Sequence, residues 1–482
     1  MMTLLLLLLP LVAALAVLLS GNKMASRVAL LFTVAEFGLT VYAYTIFKQQ
    51  GPEAFVFFHD WISSPKISIN LGVDGLSFVM IGLTNFLLPL IVLSGFNREY
   101  SNAKTYFSLM LLMQFALIGV FMAYDGLLYY IFWELALLPI YFIALGWGGK
   151  NRVPVTLKFF IYTLAGSLLM LFGFIMLYYY NPNASFNITD LYNNPVCSCN
   201  QGWLFWMFFL AFAIKIPIVP FHTWQADTYS ESPTQGTMLL SGIMLKMGTY
   251  SLIRWLLPIL PAGIAEWGPL AITLCVIGIV YASIIAIMQN DIKKLFAYSS
   301  VAHVGLIAAG IFALNIEGLQ GSVVQMIAHG VNVVGLFFCA DIIINRTQTA
   351  NISSLGGIRN IAPRFNTLFM IVVIASVALP LTNGFIGEFL LLFGVFKYNT
   401  WLSVIAGLTI ILGAVYMLRM FQNTMLGNTN ENTQHFTDLN WSETLVLGII
   451  AITIVVMGLY PKPIFELVQP SLDIILNKAI AK

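Results

Sequence analysis

Residues 211–220 read Ala-Phe-Ala-Ile-Lys-Ile-Pro-Ile-Val-Pro, and this stretch decides the kind of fold that the chain adopts. It lies within an apolar run, yet it carries a lysine and two prolines. A lysine at the centre of a bilayer costs about 2.5–3.5 kcal/mol on insertion scales, and proline removes a backbone hydrogen-bond donor. Both are tolerated at membrane depth only where the helix faces protein or a water-filled cavity. The stretch therefore predicts a broken membrane helix beside a buried charge.

The overall composition is typical of an integral membrane protein. Of the 482 residues, 59% are hydrophobic and 9% are charged, and the mean hydropathy is +0.89, whereas soluble proteins carry about 25% charged residues. The net charge of +2 removes the electrostatic case for nucleic-acid binding. The sequence has no phosphate-binding glycine loop, dinucleotide fingerprint or iron–sulfur cysteine spacing. We therefore expect no nucleotide site and no redox cofactor in this chain.

The cysteines do not change that expectation. Cys197 and Cys199 lie in a polar loop, where a C-x-C pair without further Cys or His is weak evidence for a metal. Cys275 and Cys339 lie in apolar runs and are interpreted as small core residues.

The apolar runs predict an all-α protein with about fourteen transmembrane helices. A bilayer core about 30 Å thick needs about 20 apolar residues per helix, and runs of this length exclude a barrel of short alternating strands. The runs cover roughly 3–20, 28–47, 72–95, 106–123, 126–147, 155–180, 203–221, 233–256, 267–288, 295–314, 320–343, 367–396, 401–424 and 442–460.

The basic residues between these runs predict the orientation. One set of alternate loops carries thirteen, namely Lys23, Arg27, Arg98, Lys104, Lys150, Arg152, Lys158, Lys293, Lys294, Arg346, Arg359, Arg364 and Arg419. The other set carries seven, namely Lys48, Lys66, Arg254, Lys397, Lys462, Lys478 and Lys482. Because cytoplasmic loops are enriched in Lys and Arg, we expect both termini outside the cytoplasm. The first run lacks a positively charged start, which favours a retained helix over a signal peptide.

Several ionisable residues fall near the middle of predicted membrane helices. Each one alone could pair for packing, or in the case of histidine serve as a core residue. Taken together, acids, bases and imidazoles in six different helices are what stepwise proton transfer requires. The six are Glu134, Lys215, Lys246, His303, His329 and Glu388. Glu36, in the second run, has no evident partner and is given no role.

Two helices carry breaks next to a charge. The seventh run contains Pro217 and Pro220 after Lys215, and the twelfth contains Pro380 and Gly384 before Glu388. Broken helices five spans apart are typical of transporters with inverted repeats, here spans 4–8 and 9–13. The predicted divisions are N-terminal helices 1–3 in 1–100, the first repeat in 101–260, the second in 261–425, and helix 14 with a short tail in 426–482.

These residues lie in motifs that resemble a known family. The motifs are Tyr-Ile-Phe-Trp-Glu134, Lys215-Ile-Pro-Ile-Val-Pro-Phe-His-Thr-Trp224, Leu-Lys246-Met-Gly, Asp291-Ile-Lys-Lys-Leu-Phe-Ala-Tyr-Ser-Ser-Val-Ala-His303 and Gln325-Met-Ile-Ala-His329-Gly. In order and spacing they are similar to the antiporter-like membrane subunits of bacterial NADH:quinone oxidoreductase, respiratory complex I. The resemblance covers nearly the whole chain.

The resemblance implies a proton-translocating module of fourteen helices with two inverted five-helix repeats. It implies that Glu134 and Lys215 form the ion pair of the first half-channel and that Lys246 is the central lysine. His303 and His329 would then bridge to the second half, with Glu388 as its terminal acid. The sister subunits L and N typically carry Lys at this last position, so Glu388 favours the M-type branch, which includes mitochondrial NADH dehydrogenase subunit 4.

The resemblance also implies partners and a location. Other complex I membrane subunits, especially L and N, would surround the chain in the bacterial inner membrane. FMN, iron–sulfur clusters and quinone would lie in partner subunits. Asp291 and Lys294, at a cytoplasmic helix end, form either part of a proton entrance or a solvated capping cluster. The sequence departs from the family at Tyr229, where a histidine is usual.

Three rival functions remain open from the sequence. An Mrp-type cation/proton antiporter or a membrane-bound hydrogenase subunit shares much of the charged row. A structural membrane anchor would carry buried charges that merely pair. Sodium transport would favour a cluster of carboxylates, and the single carboxylate beside each helix break favours protons instead.

Overall fold

The structure is a computed structural model that describes residues 1–96 and 98–480. It is almost entirely helical. The first twelve helices are α1 Met2–Leu19, α2 Ala25–Gln50, α3 Gly75–Ser94, α4 Ala103–Met122, α5 Gly126–Trp147, α6 Arg152–Tyr180, α7 Ile188–Asn193, α8 Ser198–Lys215, α9 Gln225–Glu231, α10 Thr234–Leu239, α11 Leu245–Ser251 and α12 Leu257–Ile259. The others are α13 Pro261–Met288, α14 Ile292–Phe312, α15 Ile316–Thr347, α16 Ile358–Ile361, α17 Pro363–Ser376, α18 Asn383–Tyr398, α19 Thr400–Met425, α20 Trp441–Leu459 and α21 Lys462–Ile480.

Within this described part, eleven helices are long and apolar enough to cross a membrane. The three predicted runs that give no such helix are the seventh, the eighth and the twelfth. The seventh ends as a helix at Lys215, and the twelfth divides into α17 and α18 on either side of residues 377–382. The eighth contains two π-helical segments, Leu240–Met244 and Leu252–Leu256, which the sequence pattern did not predict. The prediction of a helical membrane protein is confirmed.

The chain forms two compact units. The first comprises Met1–Ile216, Ile243–Ala271 and the chain from Ile464 on, and the second comprises Pro217–Gly242 and Ile272–Pro463. In the first unit α4 packs against α1, α3, α5 and α11, and α8 packs against α6 and α11. In the second unit α15 packs against α10, α14, α17, α18 and α20, so α15 is its central helix. In each of helices α14 and α15, 94% of the most apolar 18-residue stretch is buried inside the protein.

A β-hairpin precedes α3 and was not predicted. Strands β1 Phe57–Ile62 and β2 Ile67–Leu71 pair antiparallel, with Phe57 opposite Leu71. Asp125, the N-cap of α5, accepts hydrogen bonds from the backbone N–H and the hydroxyl of Ser68 at 3.3 and 3.2 Å. The same carboxylate caps Leu127 and Leu128. One aspartate thus fixes the hairpin to the start of α5.

Candidate functional site

Lys215 is the last residue of α8, and its side chain is only 2% exposed. The final helical hydrogen bond runs from Ile216 N–H to the Phe212 carbonyl at 2.8 Å. Pro217 follows and has no N–H to continue the helix. The unpaired carbonyls at a helix C-terminus favour a nearby cation. Lys215 Nζ also lies 5.3 Å from the centre of the Trp133 ring, a cation–π contact that further supports a charged ammonium.

Glu134 follows Trp133 on α5 and is half-buried. Within the described residues its Oε1 is buried without a hydrogen-bond partner, and the carboxyl group interacts electrostatically with Lys215. Among the described residues, Glu134 and Lys215 make no direct salt bridge, so their charges act on one another at longer range. Ile131 and Leu138, which flank Glu134 on the same face of α5, are 38% and 45% exposed. The face of α5 that carries this acid therefore borders the surface of the first unit, although Glu134 Oε1 itself is buried.

Lys246 lies in α11, directly after the first π-helical segment, and is 1% exposed. Such π segments inside α-helices occur frequently at functional sites. Gly248 allows a close approach to the end of α8, because a Cβ there would lie 2.5 Å from Ile216 Cγ1. The helix of Lys246 is thereby held against the helix end that carries Lys215.

The second unit brings His303, His329 and Glu388 together around a cavity of about 20 Å³. His303 Nδ1 lies 2.9 Å from Glu388 Oε1, which is ion-pair distance, although the ring N–H is not aligned for a hydrogen bond. The two imidazole ring centres are 6.1 Å apart. Gln325 donates from Nε2 to Glu388 Oε1 at 3.3 Å. We name His303, Gln325, His329 and Glu388 the histidine–glutamate cluster.

Glycines let α15 and α18 approach closely enough to form this cluster. A Cβ at Gly387 would lie 2.3 Å from Gln325 Oε1, and a Cβ at Gly394 would lie 2.6 Å from the Cα of Gly318. Distances below 3.0 Å leave no room for a side chain. The small residues therefore set the separation at which Gln325 reaches Glu388.

The break between α17 and α18 also supplies partners for polar groups. Pro380 lies in the break, and Gly384 in the first turn of α18 sits so close to α17 that a Cβ would be 2.3 Å from the Ala375 carbonyl oxygen. That carbonyl accepts the Ala378 N–H at 3.2 Å and, as a second hydrogen bond, Asn332 Nδ2 at 3.3 Å. Asn332, which sequence reasoning missed, thus ties α15 to the end of α17 in the wall of the cavity.

Asp291 and Lys294, predicted at a proton entrance or a capping cluster, have different partners in the structure. Asp291 is the N-cap of α14, and its carboxylate accepts the Lys294 N–H at 2.9 Å. The Lys294 side chain instead lies 3.4 Å from Asp227 Oδ1 of α9, and both groups are about 40% exposed. Asp291 therefore serves as a cap, and Lys294 belongs to a solvated ion pair. Tyr229, at the position where the family usually has histidine, is buried and packs against the Phe337 ring at 5.8 Å.

Two buried charges acquire partners that the sequence did not indicate. Glu36 accepts a hydrogen bond from Asn85 at 3.2 Å, and Gln114 donates to Asn85 at 2.7 Å.

Arg254, placed in a loop by the sequence pattern, lies within the second π-helical segment and pairs with Asp74 at 2.5 Å. The loop assignment was wrong because the helix continues to Ile259. Burial raises the pKa of Asp74, but the Arg254 charge and hydrogen bond outweigh it, so the pKa lies below 3.8.

No group of three or more His, Cys, Asp or Glu side chains suited to a metal occurs in residues 1–96 and 98–480. Cys197 and Cys199 are exposed, with sulfur atoms 2.6 Å apart, and Cys275 and Cys339 are buried.

A comparison with known families accounts for this arrangement. A family model described as NADH:quinone oxidoreductase/Mrp antiporter, TM, matches residues 123–413, which is more than half of the chain. The chain belongs to this family. NADH-quinone oxidoreductase subunit M of Rickettsia conorii is 39% identical over 484 residues, which covers 98% of this chain and 97% of that protein. NADH-ubiquinone oxidoreductase chain 4 of Arabidopsis thaliana is 36% identical over 415 residues, with 86% and 83% coverage.

The family likeness extends to a solved structure. A chain of respiratory complex I from Thermus thermophilus with bound NADH superposes with a TM-score of 0.91 at 30% identity, and the match covers 100% of both chains. The predicted resemblance to the M-type subunits of complex I is therefore confirmed.

Proposed function

We propose that the chain is the proton-translocating, antiporter-like M-type membrane subunit of an NADH:quinone oxidoreductase. The observation that carries this proposal is the presence of two buried ionisable clusters in a member of this family. Glu134, Lys215 and Lys246 lie in the first unit, and the histidine–glutamate cluster lies in the second. Groups of this kind inside a membrane are costly and mark proton pathways.

The first cluster stores a proton on Lys215. The ammonium is favoured by the α8 carbonyls, the Trp133 ring and the Glu134 charge. When the Glu134 charge is drawn away or neutralised, the buried ammonium loses its long-range stabilisation and releases a proton, which Lys246 accepts. Lys246 then passes a proton toward the histidine–glutamate cluster.

The histidine–glutamate cluster receives the proton and passes it outward. Imidazole accepts a proton on one nitrogen and releases one from the other, so His303 and His329 can relay without net change. Glu388 stabilises the imidazolium at 2.9 Å and serves as the terminal acid. The small cavity between these side chains has room for one water molecule, which extends the reach of the relay.

Energy must reach the chain from neighbouring subunits, since no redox centre is expected here. The outward face of α5 supports this. The Glu134 side chain is only half-buried by this chain, and exposure of an acidic side chain to hydrocarbon is unfavourable, so this face calls for a covering partner. We assign that contact to the antiporter-like L or N subunit in the bacterial inner membrane. Both termini of the chain lie outside the cytoplasm.

FMN, iron–sulfur clusters and quinone belong to other subunits of the assembly. The five-helix repeats, spans 4–8 and 9–13, stay part of this proposal.

The first test is purification of the chain through an affinity tag in mild detergent, followed by assay of NADH:quinone reductase activity, flavin and iron. Co-purification of all three is the expected result. A cofactor-free complex that exchanges cations for protons in vesicles would replace the proposal by an Mrp-type antiporter.

Lysine variants then test translocation in vesicles. Lys215→Ala and Lys246→Ala should lower the number of protons moved per NADH oxidised while the complex still assembles. Lys397→Ala is the matched control, because this exposed lysine pairs with Glu317 at the protein surface. Lys246→Arg should also lower translocation, because a guanidinium keeps its proton at any accessible pH. If Lys215→Ala, Lys246→Ala and Lys246→Arg all move as many protons per NADH as the parent, the proposed relay is contradicted.

A further inference from the structure

A polar cleft of about 220 Å³ opens at one end of the second unit. Its rim includes Gln289 and Asn290, between α13 and α14, and the exposed side chains of Arg419 and Asn423 on α19. This is the end at which the loops are rich in Lys and Arg. Tyr416, on the same face of α19 as Asn423, lines the inner part of the cleft and is 1% exposed.

A single hydrogen bond joins the lining of this cleft to the lining of the small cavity at the histidine–glutamate cluster. The Tyr416 hydroxyl lies 3.1 Å from Ser299 Oγ, and either oxygen can donate. Ser299 belongs to α14 and lines the small cavity that His303 and Glu388 also line. Because Ser299 and His303 are four residues apart on one helix, they lie on the same face, one turn from each other.

Several residues that line the small cavity carry polar atoms without a hydrogen-bond partner in the described part of the chain. Within residues 1–96 and 98–480, Ser300 Oγ, His303 Nε2 and Asn332 Oδ1 have no hydrogen-bond partner. Buried polar atoms are nearly always satisfied by protein or water. A cavity of about 20 Å³ exceeds the 10–15 Å³ that one water needs. A single water therefore fits in the cavity that both Ser299 and His303 line.

We propose that Tyr416 and Ser299 conduct protons from the cleft to the histidine–glutamate cluster, so that the second unit has its own access to the solution. The inference rests on the proposed function. A proton from water in the cleft binds the Tyr416 oxygen while the hydroxyl proton passes to Ser299 Oγ. The serine proton leaves to the cavity water or to His303. Each hydroxyl gains one proton and loses one, so only the proton donor in the cleft and the acceptor, an imidazole or Glu388, change charge.

The test separates the hydroxyl groups from the packing of their side chains. Tyr416→Phe and Ser299→Ala each remove one oxygen, and Ser299→Thr restores a hydroxyl at the same position. Tyr398→Phe is the matched control, because Tyr398 lies at the end of α18 and lines neither cavity. The intact complex in vesicles is assayed for protons moved per NADH oxidised, with Lys246→Ala measured beside it.

The expected result is a lower proton ratio for Tyr416→Phe and Ser299→Ala, and a parent-like ratio for Ser299→Thr and Tyr398→Phe. Parent-like ratios for Tyr416→Phe and Ser299→Ala, together with a lowered ratio for Lys246→Ala, would overturn this route and leave the proposed function standing. Parent-like ratios in Lys246→Ala as well would overturn both.

A second measurement does not depend on removing either hydroxyl. Asn423→Cys places a thiol on the rim of the cleft, where a bulky membrane-impermeant reagent in inside-out vesicles should plug it. We expect the proton ratio to fall on treatment of this variant and to stay constant in the treated parent and in treated Glu431→Cys, whose position is exposed but lies outside the cleft. A labelled variant that translocates like the untreated one contradicts the route.

Discussion

His303 Nδ1 and Glu388 Oε1 lie 2.9 Å apart, on helices α14 and α18 of the second unit, and both side chains are under 10% exposed. An imidazolium and a carboxylate at this distance attract one another, and the attraction is stronger in a buried site than in water. Gln325 holds the carboxylate from the third helix with a hydrogen bond of 3.3 Å. The pair is therefore fixed by three helices and not by a single loop.

Removal of the Glu388 charge should interrupt the outer part of the relay. Glu388→Gln keeps the shape and the contact with Gln325, but it can neither take up a proton nor stabilise a charged His303. We expect fewer protons moved per NADH oxidised, with assembly unchanged, and partial recovery in Glu388→Asp. Proton uptake by vesicles measures the effect. A parent-like ratio in the glutamine variant would rule out Glu388 as the terminal acid.

The packing of α15 on α18 predicts a large difference between two glycine substitutions. Gly394→Ala should destabilise the protein by roughly 1–3 kcal/mol, because its Cβ meets the Gly318 backbone at 2.6 Å, which cannot move aside easily. Gly407→Ala on α19 meets nothing within 4 Å and should change stability by no more than about 0.5 kcal/mol. Detergent denaturation of the purified complex compares the two. Equal midpoints would contradict the close approach.

The Asp74–Arg254 pair predicts strong coupling in a double-mutant cycle. Either Asp74→Asn or Arg254→Met leaves an uncompensated charge in a buried site, which costs roughly 3–5 kcal/mol. The double variant removes both charges and should recover much of that loss. Denaturation midpoints of the parent, the two single variants and the double variant test this. Additive losses in the double variant would exclude a direct interaction between the two side chains.

The same pair predicts a specific dependence of stability on pH. Because Arg254 holds the pKa of Asp74 below 3.8, the stability from Asp74 is complete above that value and is lost as pH falls through the folded-state pKa. The difference between the parent and Asp74→Asn should stay constant from pH 7 to 5 and shrink below about pH 4. A difference that grows on acidification contradicts the sign of this shift.

The contribution of Asp125 to stability should change with pH in the opposite direction to that of Asp74. Burial raises its pKa above 3.8, although hydrogen bonds from Leu128, Ser68 and Leu127 oppose the shift. Its contribution to stability is therefore complete below 3.8 and is lost as pH rises through the folded-state pKa. Asp125→Asn keeps a helix-capping oxygen, so it should gain stability relative to the parent as pH rises. A parent–variant difference that is flat with pH argues against burial of the charge.

The entrance proposed at Asp291 can be separated from its capping role. Asn is as good an N-cap as Asp, so Asp291→Asn should preserve stability while it removes the acid. If Asp291 delivers protons, we expect this variant to translocate more slowly, whereas Asp291→Ala should also lose about 1 kcal/mol of stability. Stopped-flow proton uptake and denaturation are the two measurements. Unchanged uptake in Asp291→Asn would leave Asp291 as a cap alone.

Several features of the site follow from the sequence, and others do not. The buried Lys215, Lys246 and Glu388 were recognisable because a charge within an apolar run is conspicuous. Gln325 and Ser299 appeared in motifs but without a role, and Asn332 carried no signal. Uncharged polar residues are common in membrane helices, where only their neighbours decide whether they matter.

Hydropathy and the positions of prolines and charges are enough to predict that the chain spans a membrane as helices and that two of these helices break beside charges. This is so because lipid forces each helix to satisfy its own backbone, which makes hydropathy and proline position local, readable signals. The tertiary structure decided which side chains meet: Arg254 with Asp74, Lys294 with Asp227, and Gln325 with Glu388. These pairings depend on the rotation and spacing of helices distant in the chain. For α15 and α18 that spacing is set by Gly387 and Gly394, where an added Cβ would lie less than 3 Å from α15, and no single segment of sequence contains both sides of such an approach.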